Sequence, residues 1–182
     1  LSDRNFLLFL FASIITVMGG AMGYIALTWT VVSLNAHPFY SGVLVSLSFW
    51  LPSVLLGPFA GVLVDRYRRR NVLILVNVAR MLAFFLLGFL LFFQRSLWLC
   101  CLLNFLNGLT FSVVGPAVMA LVRELVPDDQ LLAANSTVDA CIELANIIGM
   151  AIVSVLIIWF SITWILVLIA LCIGLGAVLL YR

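Results

Sequence analysis

The sequence predicts an all-α membrane protein of six transmembrane helices, and three observations carry that prediction. Hydrophobic residues make up 66% of the 182-residue chain and charged residues only 9%, far from the balance of a water-soluble domain. A chain of this length cannot hide so much apolar surface within itself, because small domains bury only part of what they have. The apolar residues fall in six runs, each as long as the roughly 20 residues a helix needs to cross the hydrocarbon. The arginines gather at a few breaks between those runs, as the ends of membrane helices require.

The first helix is predicted over about 5–34 and stops at Asn35, Ala36, His37 and Pro38, where proline punctuates the chain. The second, about 40–64, runs into the charged segment Asp65 to Arg70. The third, about 72–93, and the fourth, about 97–121, are separated by Gln94, Arg95 and Ser96. Pro127, Asp128, Asp129 and Gln130 offer a stop followed by an acidic helix start, which places the fifth helix over about 131–159. A turn near Phe160 and Ser161 divides it from the sixth, about 162–181. Gly19, Gly20 and Gly23 in helix 1, with Gly115 and Pro116 in helix 4, suit bending and close approach. The whole chain, 1–182, is one six-helix bundle.

Charge sets the topology. There is no lysine, and the formal charge of +2 comes from clustered arginines. With the N-terminus in the cytoplasm, Arg4, Arg66, Arg68, Arg69, Arg70, Arg123 and Arg182 lie inside, while only Arg95 faces outward and Arg80 sits within a span. Both termini are then cytoplasmic and the protein is a multi-pass protein of the cell's inner membrane. No broad basic face exists, which excludes a nucleic-acid partner. Leu1, Ser2, Asp3 and Arg4 carry neither an initiator Met nor a signal-cleavage pattern, so the chain is expected to be a piece of a longer protein. Cys100, Cys101, Cys141 and Cys172 all fall in apolar runs without metal-ligand spacing and read as small hydrophobes. There is no metal-ligand cluster, no glycine loop for a phosphate-bearing cofactor and no histidine at membrane depth. An intramembrane enzyme is therefore the weak rival. A non-transporting six-helix subunit is a third class.

Two groups of polar residues are candidates for function. In the turn between helices 2 and 3, the positive-inside rule accounts for the arginines but not for Asp65. Gly57 and Gly61, four apart and just before Asp65, make a small-residue face on which another helix can pack closely. Within the membrane stand Arg80 in helix 3, Asn104 and Asn107 in helix 4, and Asp139 and Glu143 in helix 5. Charges at that depth normally face a cavity or a partner. Two uses are open: a static pair between Arg80 and a helix-5 carboxylate, or a proton or substrate-cation site at Asp139 and Glu143. The asparagines serve helix-to-helix bonding or the same site. Trp29, Phe49, Trp50 and Phe111 either line a cavity for a bulky amphiphile or pack against helices and lipid.

The stretch from Gly61 through Asp65 and Arg66 to Arg69 and Arg70 resembles the signature loop between helices 2 and 3 of the major facilitator superfamily, Gly-x-Leu-x-Asp-Arg-x-Gly-Arg-Arg. Arg68 stands in place of the second glycine of that pattern. That departure, with Leu51-Pro52 and Gly57-Pro58 upstream, resembles the macrolide-efflux and siderophore-exporter branch. Val78, Ala79 and Arg80, Gly115 to Ala117, Glu124 to Pro127 and Leu132 to Ser136 agree, so the likeness spans essentially the whole chain. It implies two inverted three-helix repeats forming the N-terminal half of a twelve-helix fold, with the C-terminal half absent from this sequence. It implies an exporter of a drug-like or siderophore-like small molecule by alternating access, with protons as a possible coupling ion and an importer as the alternative. By position, Asp65, Arg66 and Arg69 are implied to form a cytoplasmic gate that latches the two halves. Asn104 stands where many antiporters of the family carry an arginine, and Gly149, Met150 and Ala151 replace their Gly-Pro element in helix 5.

Overall fold

A computed structural model describes residues 4–34, 37–93 and 96–181, with the side chains of residues 5, 38, 62, 63 and 65 outside the description. The turn residues Asn35, Ala36, Gln94 and Arg95, and terminal Arg182, lie outside the described residues too. Six long helices follow one another: α1 (Arg4–Leu34), α2 (Pro38–Arg66), α3 (Arg69–Phe93), α4 (Leu97–Leu125), α5 (Leu131–Trp159) and α6 (Ile162–Tyr181). A single 3-10 turn, Asp128–Gln130, leads into α5. No strand occurs among the described residues. All six helices are long and apolar enough to span a bilayer, with mean hydropathy between 1.8 and 2.7 over their spans.

The helices at the arginine-rich end run past the apolar limits read from the sequence. α2 continues through Arg66, α3 begins at Arg69 and α4 reaches Leu125. Only Tyr67 and Arg68 remain between α2 and α3, with Tyr67 extended at φ −119° and ψ 161°. Arginine is a good helix former, so the hydrogen-bonded ladder extends beyond the hydrocarbon. Prolines 52, 58 and 116 lie inside α2 and α4 without breaking them, as neighbouring groups can satisfy the freed carbonyls in a membrane bundle.

Lipid removes the hydrophobic drive for helix association, so close packing and polar contacts must hold the bundle. The principal pairs are α2 with α4, α3 with α6, and α1 with both α5 and α6, followed by α3 with α4 and α1 with α4. This pattern maps onto itself when α1, α2 and α3 are exchanged for α4, α5 and α6. The α1–α5 pair becomes α4–α2, α1–α6 becomes α4–α3, and α3–α6 and α1–α4 map to themselves. Since α1 and α4 enter from opposite ends, the arrangement is that of two inverted three-helix repeats.

A close glycine contact marks both seams of one exchange-related pair, α1–α5 and α4–α2. A β-carbon at Gly149 of α5 would stand 2.6 Å from the Met18 carbonyl oxygen of α1. One at Gly108 of α4 would overlap the Phe49 carbonyl oxygen of α2 and come within 3.0 Å of the Pro52 ring. Two apolar clusters fill the bundle. One, around Leu27, Phe84, Leu103 and Leu166, lies toward one end. The other, around Phe9, Val72, Val122 and Val138, lies toward the arginine-rich end. Between them, along α1, α3 and α4, sits a buried polar layer of Thr16, Asn77, Arg80 and Asn107.

Candidate functional site

The α2–α3 turn is fastened to its own half. Arg69, in the first turn of α3, makes an ion pair with Glu124 in the last turn of α4. Both side chains are substantially exposed, so the pair fixes geometry more than it stabilises. Arg70 donates from Nε to the backbone carbonyl of Leu180, closing the end of α6 against the start of α3. Arg66 and Arg68 are exposed. Asp65 falls in the last turn of α2, and its side chain lies outside the described residues. Glu124 is the partner that sequence reasoning missed, although its place at the end of α4, beside the same membrane face, was the available signal.

Gly57 and Gly61 meet nothing: a β-carbon at either would have no atom of this bundle within 4 Å. The close helix approach expected at that face is therefore not made within these six helices. Gly108 and Gly149 hold that role instead.

Arg80 overturns one expectation. A static pair with an α5 carboxylate is one of the two uses the sequence leaves open, yet Asp139 and Glu143 are both exposed on that helix and neither is seen paired with Arg80 among the described residues. Arg80 is 7% exposed and donates from Nη2 to Oδ1 of Asn107 at 2.8 Å. The guanidinium lies over Gly20 of α1, where any β-carbon would collide with Nη2. Three helices thus meet at one cation, whose depth of eleven residues along α3 is about 16 Å. The physical reason is rotational: α5 packs on α1 through Gly149, which turns Asp139 and Glu143 away from the α1–α3–α4 core.

Asn104 is likewise not on an open cavity face. It is 1% exposed and donates from Nδ2 to the Val45 carbonyl at 2.9 Å, tying α4 to α2. Asn77 donates to Thr16 Oγ1 at 3.3 Å and ties α3 to α1. The asparagines are helix-to-helix bonds, the commoner use of such residues in membranes.

What remains on open faces is informative. The spans of α5 and α2 are only 17% and 22% buried, against 50% for α1, and the repeat exchange maps α2 onto α5. On α5, Asp139 and Glu143 are one turn apart with Ser136 and Ala140 exposed beside them. Across α1, α2 and α4, Tyr24, Phe49, Trp50 and Phe111 form a connected aromatic cluster, with Tyr24 and Phe49 centroids 5.0 Å apart and Phe49 and Phe111 5.5 Å apart. Trp50 and Phe111 are half exposed while Phe49 is buried. Trp29 stands apart from them, beside a cavity of about 200 Å³ shared with the α5–α6 turn. His37 is exposed at the start of α2 and stacks edge-on with Tyr40. Among the described residues no group of His, Cys, Asp and Glu could hold a metal ion.

The model of the Major Facilitator Superfamily matches residues 9–182. The chain belongs to the major facilitator superfamily. It is also 29% identical over 136 residues to a protein of Bacillus subtilis (strain 168) named "Uncharacterized MFS-type transporter YfiS". That match covers 75% of this chain and 31% of the relative's length, so the chain spans about a third of the curated relative it matches. Six membrane-length helices under a superfamily match make it an integral, multi-pass membrane protein of a transporter family rather than an enzyme family. The two seams with their glycines, the buried Arg80–Asn107 contact and the exposed α5 acids are thus features of a major facilitator half.

Proposed function

We propose that this chain is the N-terminal half of a secondary transporter that exports a small amphiphilic solute, drug-like or siderophore-like, by alternating access. The observation that carries the reading is the pair of open faces on α2 and α5. A charge at the bilayer centre costs at least about 2.5 kcal/mol, so the surface bearing Asp139 and Glu143 must be covered or hydrated. A second six-helix half covers it, and alternating access follows from one half rocking against the other. The aromatic cluster of Trp50 and Phe111 offers an apolar wall on the neighbouring helices, and the α5 acids offer a proton or a cationic group a place to bind.

In this reading Asp65, Arg66 and Arg69 form a gate toward the second half on the cytoplasmic side, and Gly57 and Gly61 are the smooth face on which that half closes. The Arg69–Glu124 pair holds the gate loop in register with α4. Both termini and the loop are cytoplasmic in the inner membrane. The test is flux in proteoliposomes containing the full-length protein, with ethidium as the amphiphilic probe and an imposed pH gradient. Gradient-driven ethidium movement that Glu143→Gln abolishes supports proton-coupled export. Movement indifferent to the gradient removes the coupling, and no movement across a panel of amphiphiles removes the exporter reading.

A further inference from the structure

At the arginine-rich end, α1, α3, α4 and α6 do not close completely. A cavity of about 200 Å³ remains between them, lined by Leu8, Phe9, Arg70, Leu121, Leu125 and Leu180, with Leu179 at its side. Phe9, Leu121 and Leu180 are buried and make its apolar floor. Arg70 is the one charged residue in that lining, and it is exposed. Its Nε is committed to the Leu180 carbonyl, which pins the guanidinium at the cavity, and among the described residues no acceptor is seen for its Nη groups.

The location decides what that acceptor is. The lining comes from the first turns of α1 and α3 and the last turns of α4 and α6. It therefore lies where hydrocarbon gives way to headgroups. A ligand there meets leucines on one side and an arginine on the other. The surrounding charge has the same sign: Arg4, Arg66, Arg68 and Arg123 are exposed at this end, and Arg69 is the arginine seen paired with a carboxylate among the described residues. A guanidinium above apolar floor matches a phosphodiester joined to acyl chains, because its planar fork binds phosphate oxygens directly. Basic pockets between helices on the cytoplasmic side are suited to anionic headgroups.

We infer that this cavity is a site for an anionic phospholipid of the adjacent leaflet, its phosphate on Arg70 and its first methylenes against Phe9, Leu121 and Leu180. Arg70 would then bridge lipid, α3 and the end of α6 at once. The experiment is native mass spectrometry of the full-length protein released from detergent with equal amounts of phosphatidylglycerol and phosphatidylcholine. Wild type should retain phosphatidylglycerol preferentially. Arg70→Gln should lose about five-fold of that preference, one arginine's share of the attraction to anionic lipid, and Arg70→Lys should keep most of it. Leu8→Trp, which fills the cavity and leaves the charge, should lose retention as well. The inference is overturned if wild type holds both lipids equally, if Leu8→Trp retains phosphatidylglycerol as wild type does, or if the preference survives in Arg70→Gln. Retention is read without any transported solute, so its failure leaves the transport reading standing.

Discussion

Replacing Gly108 by alanine should destabilise the protein although alanine is the better helix former. The new methyl would overlap the Phe49 carbonyl oxygen, with the Phe49 carbonyl carbon at 2.9 Å and the Pro52 ring at 3.0 Å. Two of those three atoms are backbone, which cannot rotate aside, so α2 and α4 must move apart. Overpacking of this kind costs about 1–3 kcal/mol, and the rigid neighbour places the cost at the upper end. One turn away, the Asn104–Val45 bond spans the same seam, and weakening it adds about 1 kcal/mol. Against this stands a helix-propensity gain of about 1 kcal/mol. The net expectation is a loss of about 1–3 kcal/mol, which at about 2–4 °C per kcal/mol lowers Tm by several degrees. Cys100 is fully buried, so a thiol-reactive dye reports unfolding of the purified protein on heating. Gly42→Ala is the control, since nothing of the bundle lies within 4 Å of a β-carbon there, and it should leave Tm unchanged or raise it. Equal stability of Gly108→Ala and wild type would refute the seam argument.

Three further outcomes are expected. Asn107→Leu should cost about 1.5–3 kcal/mol by stranding the buried Arg80 guanidinium. Glu143→Gln should change stability by no more than about 0.5 kcal/mol, as an exposed position does, and adding Glu143→Gln to Arg80→Met should restore nothing; rescue of thermal stability by that double variant would revive the ion pair. Asp65→Asn should impair flux in proteoliposomes while leaving Tm and membrane insertion intact, and normal flux would leave the turn with its topological role alone. A cysteine placed at Tyr67 should resist an impermeant thiol reagent added to sealed cells, and labelling from outside would invert the topology.

The bundle was legible in the sequence because lipid imposes a coarse rule: apolar length and arginine placement determine spans and their ends. Close packing obeys a finer one. Gly57 and Gly61 carry the small-residue spacing, yet they face open space, while Gly108 and Gly149, spaced four from Ser112 and Ala145 rather than from a second glycine, make the tight contacts. Spacing says that a face is smooth. Which helix arrives at it depends on rotation about the helix axis, and that is set by all the neighbours together. The limits of α2, α3 and α4 were drawn short for a related reason, since the apolar run ends at the hydrocarbon and the helix does not.

The polar residues divide along the same line. Arg80, Asn104 and Asn107 looked in sequence like the acids of α5, because each is a costly group at membrane depth. The structure separates them by what they touch. Arg80, Asn77, Asn104 and Asn107 are each at most 7% exposed and bridge α3 to α4, α3 to α1 and α4 to α2. They join elements inside one half, so a rocking motion of that half as a body would leave them intact. Among the described residues Asp139 and Glu143 bridge nothing, and they stand on the least buried span. Groups whose surroundings change when two halves move are the ones able to bind and release a proton or a solute in step with that motion. Under the proposed function the α5 acids, exposed on an open face, are the groups assigned to that condition, whereas Arg80 is buried and bonded within its own half.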